Sequence, residues 1–134
     1  MADGAMTAAA SPEPDRYAWL LGLLGEALEH CHGTHSLEDI RQALQEGKLQ
    51  LWVGERSIAV TERLHYPRKD VVNIFLAGGD LEEMRACLPG IEAYARGVGA
   101  SAMMMSWREK RKSGWAKLAP GYEACWTGFW KDLI

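Results

Sequence analysis

Residues 71–106 have the pattern of a strand, a helix and a second strand, and they constrain the fold more than any other part of the chain. Residues 71–77 are apolar on both alternating sides except at Asn73, which is typical of a strand in the middle of a sheet. Asp80 stands at the N-cap position of the following helix, and Glu83 three residues later completes a capping-box pattern. Such a strand–helix–strand unit is almost always right-handed and parallel.

The helix of this unit is predicted over residues 81–98, where apolar side chains recur at spacings of three and four. Pro89 removes an amide donor inside it, so we expect a kink or two short helices that meet there. Gly97 and Gly99 supply the helix end. Residues 101–106 then follow as the second buried strand.

Two helices and a hairpin are predicted before this unit. Residues 16–30 carry an apolar stripe. Residues 37–46 form a shorter helix that begins after Ser36, and its Leu37, Ile40 and Leu44 are predicted to face inward. From residue 49 the apolar period changes to two, which predicts strands at 49–53 and 57–66 joined by a tight turn. Three antiparallel strands therefore precede the long helix.

Length and composition predict one domain with a core of its own, over residues 15–134. Residues 1–14 lack a basic start and are rich in Ala, Pro and acidic residues, so we expect a flexible lead-in and no secretion signal. The net charge of −3 argues against a globally basic nucleic-acid binder, and three cysteines at no paired spacing favour reduced thiols. No apolar run is long enough to span a membrane.

The stretch His30-Cys31-His32-Gly33-Thr34-His35 contains side chains that bind zinc well. Closed zinc sites need two spaced ligand pairs, and no companion pair occurs elsewhere, so an exposed polar loop is the preferred interpretation. We therefore predict no metal site.

Side chains suited to catalysis are present, but they do not form a set. Glu62 and His65 point to opposite faces of one strand, and Cys87 has no activating partner. Tyr122 is interpreted as a packing ring, with a general acid as the alternative. Asn73 is predicted to satisfy a neighbouring backbone group, with binding of a small ligand as the alternative.

Two surfaces are candidates for partners. The helix at 16–30 is apolar on a second side, and the C-terminal segment is aromatic, which predicts a protein interface through Trp19, Leu23, Trp126, Phe129 and Trp130. The concentrated basic segment is a candidate contact for anions or nucleic acid through Arg108, Lys110, Arg111 and Lys112. A solvated connecting loop explains the basic segment equally well.

Residues 114–118, followed by Gly121-Tyr122-Glu123, resemble the closing segment of the GNAT-type N-acetyltransferases, where a short helix and a Gly-aromatic pair lead into the last strand, here residues 122–130. The resemblance implies an α+β fold of N-terminal helices, an antiparallel meander, a crossover helix and C-terminal strands. Residues 51–54 and 74–80 are also similar to small GNAT-like proteins encoded in tailed phages and prophages.

One departure from that family concerns the cofactor. The resemblance implies a glycine-rich loop whose amides bind the acetyl-CoA pyrophosphate at the start of the crossover helix. Here only residues 77–80 join strand to helix, and Asp80, Glu82 and Glu83 place negative charge there. Two unit charges about 4 Å apart interact by roughly 4 kcal/mol at an effective dielectric near 20. We therefore expect neither a cofactor site nor a catalytic residue.

The first functional hypothesis is a non-catalytic GNAT-like structural or interaction protein of a phage or prophage particle, a pseudoenzyme located in the virion or the host cytoplasm. Its partners would be other virion proteins or further copies of itself. The alternative is a divergent acyl-CoA-dependent N-acetyltransferase.

Overall fold

A computed structural model of the chain contains one mixed sheet with helices on both faces. It describes residues 7–8, 14–29, 31–105, 121–123, 125 and 129–133. The elements follow one another as β1 (Thr7–Ala8), α1 (Pro14–Leu28), α2 (Leu37–Gln45), β2 (Leu49–Val53), β3 (Ser57–His65), β4 (Asp70–Gly79), α3 (Leu81–Gly97) and β5 (Ala102–Met105).

The sheet has five strands in the order β1-β2-β3-β4-β5. Strands β2, β3 and β4 are antiparallel neighbours, and β5 pairs with β4 in parallel after the chain crosses back through α3. The predicted meander, crossover helix and parallel second strand are confirmed. The mixed α+β fold class is confirmed with them.

Both ends of the chain differ in detail from the sequence prediction. Thr7–Ala8 lies within the predicted lead-in and pairs with β2 as a two-residue strand. At the other end, Tyr122, Glu123, Cys125, Phe129 and Trp130 belong to no helix or strand, and the rest of the predicted strand at 122–130 lies outside the described residues. The short helix expected at residues 114–118 lies outside them too. Among the described residues, no helix is long and apolar enough to cross a bilayer.

The core has one layer on each face of the sheet. On one side, α3 packs Met84, Leu88 and Ile91 against Val72 and Ile74 of β4. On the other side, α1 and α2 cover β3 and β4 with a second set of buried side chains, Leu20, Leu24, Leu28, Ile40, Ile58, Val60 and Leu76. The apolar stripes predicted for α1 and α3 supply six of these twelve residues.

Helix α2 begins as predicted, because Ser36 and Asp39 form a reciprocal capping box. Its inward face is narrower than predicted. Ile40 is buried and Leu44 is half-buried, whereas Leu37 is 37% exposed. Leu37 is the first residue of the helix, so no preceding turn covers it.

Helix α3 runs without interruption through Pro89, so the alternative of two short helices is wrong. Proline removes one amide donor and leaves the carbonyl of Arg85 without its helical partner. Arg85 and Pro89 are both exposed. Water can therefore bind that carbonyl, and the apolar face of α3 keeps the helix on the sheet.

Candidate functional site

The junction between β4 and α3 consists of one residue, Asp80, between Gly79 and Leu81. Gly79 has a φ of 109°, a conformation that favours glycine. A β-carbon on Gly79 would lie 2.2 Å from the carbonyl oxygen of Arg56 and 2.7 Å from the α-carbon of Ser57. The backbone that leads into β3 therefore lies directly against the start of α3.

Asp80 caps α3, as the sequence predicted. Its carboxylate accepts a hydrogen bond from the Glu83 amide at 3.1 Å and lies 3.1 Å from the Arg56 Nε. These backbone amides and the nearby guanidinium hold the pKa of Asp80 below its usual range. The amide of Asp80 donates to the Arg56 carbonyl at 3.2 Å.

Glu83 does not complete the predicted capping box. Its side chain is fully buried and turns toward β3, where it accepts from the hydroxyl of Ser57 and, at 3.0 Å, from the backbone amide of Arg56. The Arg56 guanidinium lies 4.0 Å from the same carboxylate. The prediction failed because the Asp80 amide is already bound to the Arg56 carbonyl, which leaves the Glu83 side chain free to bind elsewhere.

Asp80, Glu83, Arg56 and Ser57 thus form a closed polar cluster at the start of α3, which we call the helix-start cluster. A helix N-terminus attracts anions through free amides and the helix dipole. Here the cap carboxylate accepts from the Glu83 amide of the first turn, and two carboxylates add negative charge. Capping and charge at the start of α3 therefore both act against the binding of a phosphate there.

Strand β4 contains a β-bulge next to Phe75. Val60 of β3 pairs with Leu76, whereas Thr61 pairs with Ile74, so Phe75 is an extra residue on β4. Its ring packs edge-on against His35 of the loop between α1 and α2, with ring centres 4.8 Å apart. The pairing of β4 with β5 extends only to Ile74. The bulge therefore lies where β4 continues past its last described partner on β5.

Asn73 and Glu62 form a polar pair on the sheet next to the bulge. The Asn73 Nδ2 donates to the Glu62 Oε2 at 2.8 Å, and Asn73 is 7% exposed. The Asn73 Oδ1 is fully buried and has no hydrogen-bond partner. Asn73 thus binds a side chain and not a backbone group, contrary to the preferred prediction. His65 contacts Asp70 at 3.0 Å instead of Glu62.

A cleft of about 350 Å³ lies between α3 and the C-terminal segment. Tyr122 is half-buried beside it, and its hydroxyl donates to the Glu92 Oε2 at 2.7 Å. Burial, followed by the hydrogen bond to Glu92, raises the pKa of Tyr122. The described residues that line the cleft are Glu82, Arg85, Ala86, Leu88, Pro89, Glu92 and Tyr122.

Tyr122 packs against the α3 side of the core, as predicted for a packing ring, but it also carries a polar contact that sequence did not indicate. Cys87 is buried on the same helix, and its thiol donates to the Met84 carbonyl at 2.9 Å. Burial, with Glu83 nearby, raises the pKa of Cys87 to about 12. A thiol so rarely ionised is a poor nucleophile.

The residues predicted for partner contact are distributed unevenly. Trp19, Phe129 and Trp130 are 46%, 95% and 53% exposed. Leu23 is half-buried, and its carbonyl would lie 3.0 Å from a β-carbon at Gly78. Leu23 thus packs on its own domain. Trp126 lies outside the described residues, as do Arg108, Lys110, Arg111 and Lys112, and their predicted contacts stay predictions.

The polar loop at residues 31–35 contributes its rings to packing. His32 stacks on Trp130 with ring centres 4.6 Å apart, and the Cys31 thiol donates to the Ala27 carbonyl at 3.7 Å. No group of three or more potential metal ligands occurs among the described residues. His30 is not among them.

Sequence reasoning missed three of the polar residues in these sites. Ser57 was assigned only to the start of a strand, and Arg56 and Glu92 were given no role. Their partners, Glu83 and Tyr122, lie 26 to 30 residues away in sequence. No local spacing could have indicated these contacts.

Comparison with known proteins shows the fold. No protein-family model matches the chain, and no curated protein matches it. Among solved structures, an acetyltransferase from Trypanosoma brucei is 18% identical with a TM-score of 0.63, covering 96% of this chain and 99% of its own. A GNAT family acetyltransferase from Staphylococcus aureus is 14% identical with a TM-score of 0.56, covering 96% and 99%.

An aminoglycoside acetyltransferase from an uncultured soil metagenomic sample, solved with sisomicin, is 11% identical with a TM-score of 0.68 and covers 96% of this chain and 95% of its own. At such identities the likeness concerns the fold. The GNAT-type fold predicted by resemblance is confirmed. The narrower similarity to phage-encoded proteins is not shown by these structures.

Proposed function

We propose that this chain is a divergent acyl-CoA-dependent N-acyltransferase, the alternative of the two hypotheses above. The carrying observation is that acetyltransferases match it along nearly its whole length, covering 96% of this chain and 95–99% of their own. The chain thus has the size and element order of such enzymes. These neighbours favour an enzyme over the non-catalytic phage component that sequence reasoning preferred.

The helix-start cluster restricts how the donor binds. Because the carboxylates of Asp80 and Glu83 occupy this end of α3, the diphosphate of acyl-CoA is not held by the first-turn amides. The extended arm that carries the thioester can instead add to a strand edge through backbone hydrogen bonds. Residues 75–79 of β4, which continue past the last described pair with β5, are suited to this.

Calorimetry tests the proposal. Titration with acetyl-CoA to millimolar concentration is expected to give saturable heat. Acetyl-pantetheine, which has the same arm and no diphosphate, is expected to bind with an affinity within about tenfold, that is, within roughly 1.4 kcal/mol. If neither acetyl-CoA nor acetyl-pantetheine gives saturable heat, the proposed function is wrong. Binding of acetyl-CoA alone would show that the diphosphate has a strong site elsewhere.

A second candidate function, a non-catalytic interaction domain, is favoured by the helix-start cluster itself and by exposed aromatic rings. Trp19, Phe129 and Trp130 expose apolar surface that a partner could cover. Under this hypothesis the partners are other virion proteins or copies of this chain, in the virion or the host cytoplasm. Sedimentation of wild type and of the Trp19→Ser/Trp130→Ser variant tests self-association. A monomeric wild type would contradict self-association. Saturable binding of acetyl-CoA would then favour the acyltransferase over the interaction domain.

A further inference from the structure

The amide orientation of Asn73 is fixed by its neighbour. An ionised carboxylate only accepts hydrogen bonds, so the NH₂ group of Asn73 has to face Glu62, at 2.8 Å. Exchanging the two amide atoms would place oxygen against oxygen. The Oδ1 is therefore the atom left without a partner, on a side chain that is 7% exposed.

A buried acceptor without a donor destabilises a folded protein, and native structures contain few such atoms. Asn73 lies in β4 between Val72 and Ile74, which are 0% and 5% exposed. An apolar side chain there would avoid the penalty. The fold thus retains an unused acceptor at a site where it is unfavourable without a ligand.

The strand register places Asn73 between Glu62 on β3 and Met104 on β5. This position is next to the bulge at Phe75, where β4 continues past its last described pair with β5. Met104 is half-buried. An unbranched methionine side chain has three rotatable bonds, so it can turn aside and admit a small group to its neighbour.

We propose that Asn73 Oδ1 and the Glu62 carboxylate bind the ammonium group of the acceptor substrate. The role as acceptor site depends on the proposed function, whereas binding of an ammonium group does not. Both protein groups present hydrogen-bond acceptors, and an ammonium group presents three donors and a positive charge. A carboxylate or phosphate ligand would meet the negative charge of Glu62 and be rejected. The site therefore selects amines.

The chain offers an unusually clean probe, because Asn73 is its only asparagine. In protein labelled with ¹⁵N-asparagine, one side-chain NH₂ signal reports the site. Titration with n-propylammonium chloride is expected to shift this signal saturably. Neutral n-propanol and sodium chloride at equal concentration are expected to leave it unchanged. Equal shifts with propanol would show an apolar pocket and overturn the proposal, as would no shift with propylammonium.

Two variants separate binding from structure. Glu62→Gln is expected to weaken propylammonium binding about tenfold or more, because a charged partner is lost, while the exposed Glu55→Gln is expected to have no effect. Asn73→Leu is expected to abolish propylammonium binding, which ligand-detected NMR measures because this variant lacks the labelled asparagine. The variant is expected to be at least as stable to urea as wild type. Unchanged propylammonium binding in Asn73→Leu would show that the ammonium group binds elsewhere and overturn the proposal.

The failures of the two proposals are distinguishable. If propylammonium binds at Asn73 but acetyl-CoA gives no heat, the ammonium site stands and the acyltransferase function fails. If acetyl-CoA binds and amines are acetylated equally well by wild type and by Asn73→Leu, the function stands and this site is not where the acceptor binds.

Discussion

Glu83 in the first turn of α3 accepts a hydrogen bond from the hydroxyl of Ser57 at the start of β3, 26 residues away, and both side chains are buried. A second donor, the Arg56 amide, approaches the same carboxylate at 3.0 Å. A buried carboxylate is tolerated only when it is paired and hydrogen-bonded. This contact therefore ties the crossover helix to the meander and places a second carboxylate beside the Asp80 cap.

Replacing Glu83 by Ala is expected to destabilise the fold by about 3 kcal/mol or more, because the Ser57 hydroxyl and the Arg56 amide are left without an acceptor inside the protein. Glu82→Ala, one residue earlier and exposed, is the matched control and is expected to change stability by less than about 0.5 kcal/mol. Urea unfolding measures both. Similar losses in the two variants would contradict a structural role for the Glu83 contacts.

Gly79→Ala is expected to destabilise the protein by more than about 1 kcal/mol. Its β-carbon would lie 2.2 Å from the Arg56 carbonyl, and the φ of 109° is unfavourable for alanine. Gly90→Ala is the control, because nothing lies within 4 Å of the added atom and α3 continues through this position. That change is expected to raise the melting temperature, since alanine favours a helix interior by about 0.5–1 kcal/mol. A tolerated Gly79→Ala would show that the junction can relax.

The sequence predicted the fold well because periodicity reports which faces are buried. The period of two at residues 49–65 and the spacing of three and four along α3 both follow from packing on one sheet. The two-residue strand β1 was not predicted, because so short a segment cannot show an alternation of apolar and polar side chains. Leu37 was placed inside because the pattern alone does not show that the first turn of a helix projects beyond its neighbours.

The polar sites were predicted less well, for a different physical reason. A carboxylate near a helix start has two possible partners, the helix amides or a distant donor, and only the tertiary structure decides between them. The Asp80 carboxylate binds a helix amide, whereas the Glu83 carboxylate binds the distant hydroxyl of Ser57. The same holds for Asn73, whose partner Glu62 comes from the neighbouring strand. The sequence identified these residues, and the register of the strands assigned their contacts.

The stability of wild type is expected to decrease more steeply in acid than that of Asp80→Asn. The pKa of Asp80 is lowered in the folded protein, chiefly by the Glu83 amide. Its stabilising contribution is therefore complete above the unfolded value near 3.9 and is lost as pH falls through the lower folded pKa. Asn remains a good cap but does not titrate. Urea unfolding from pH 7 to pH 3 should show the two stabilities converging below about pH 4. A constant difference would contradict the assignment.

Tyr122→Phe is expected to destabilise the protein by about 1 kcal/mol, because Glu92 loses its hydrogen-bond donor. Burial and the bond to Glu92 raise the pKa of Tyr122 further above neutral pH, so its phenol is a poorer proton donor than an ordinary tyrosine. Under the proposed function the variant is therefore expected to keep kcat within about threefold of wild type. A fall in kcat of about a hundredfold, with little change in KM, would show that Tyr122 is a general acid and overturn its assignment to packing.

The three cysteines are expected to react with iodoacetamide in a fixed order, because they differ in exposure and in thiol acidity. Cys125 is exposed and should react first, and Cys31 is half-buried with a pKa raised by burial, so it should follow. Cys87 is buried, and burial raises its pKa to about 12, so its thiol is almost entirely protonated at pH 8. Peptide mapping by mass spectrometry should find Cys87 modified only after urea is added. Rapid modification of Cys87 in the native protein would show that α3 opens, and it would return this thiol to the candidate nucleophiles.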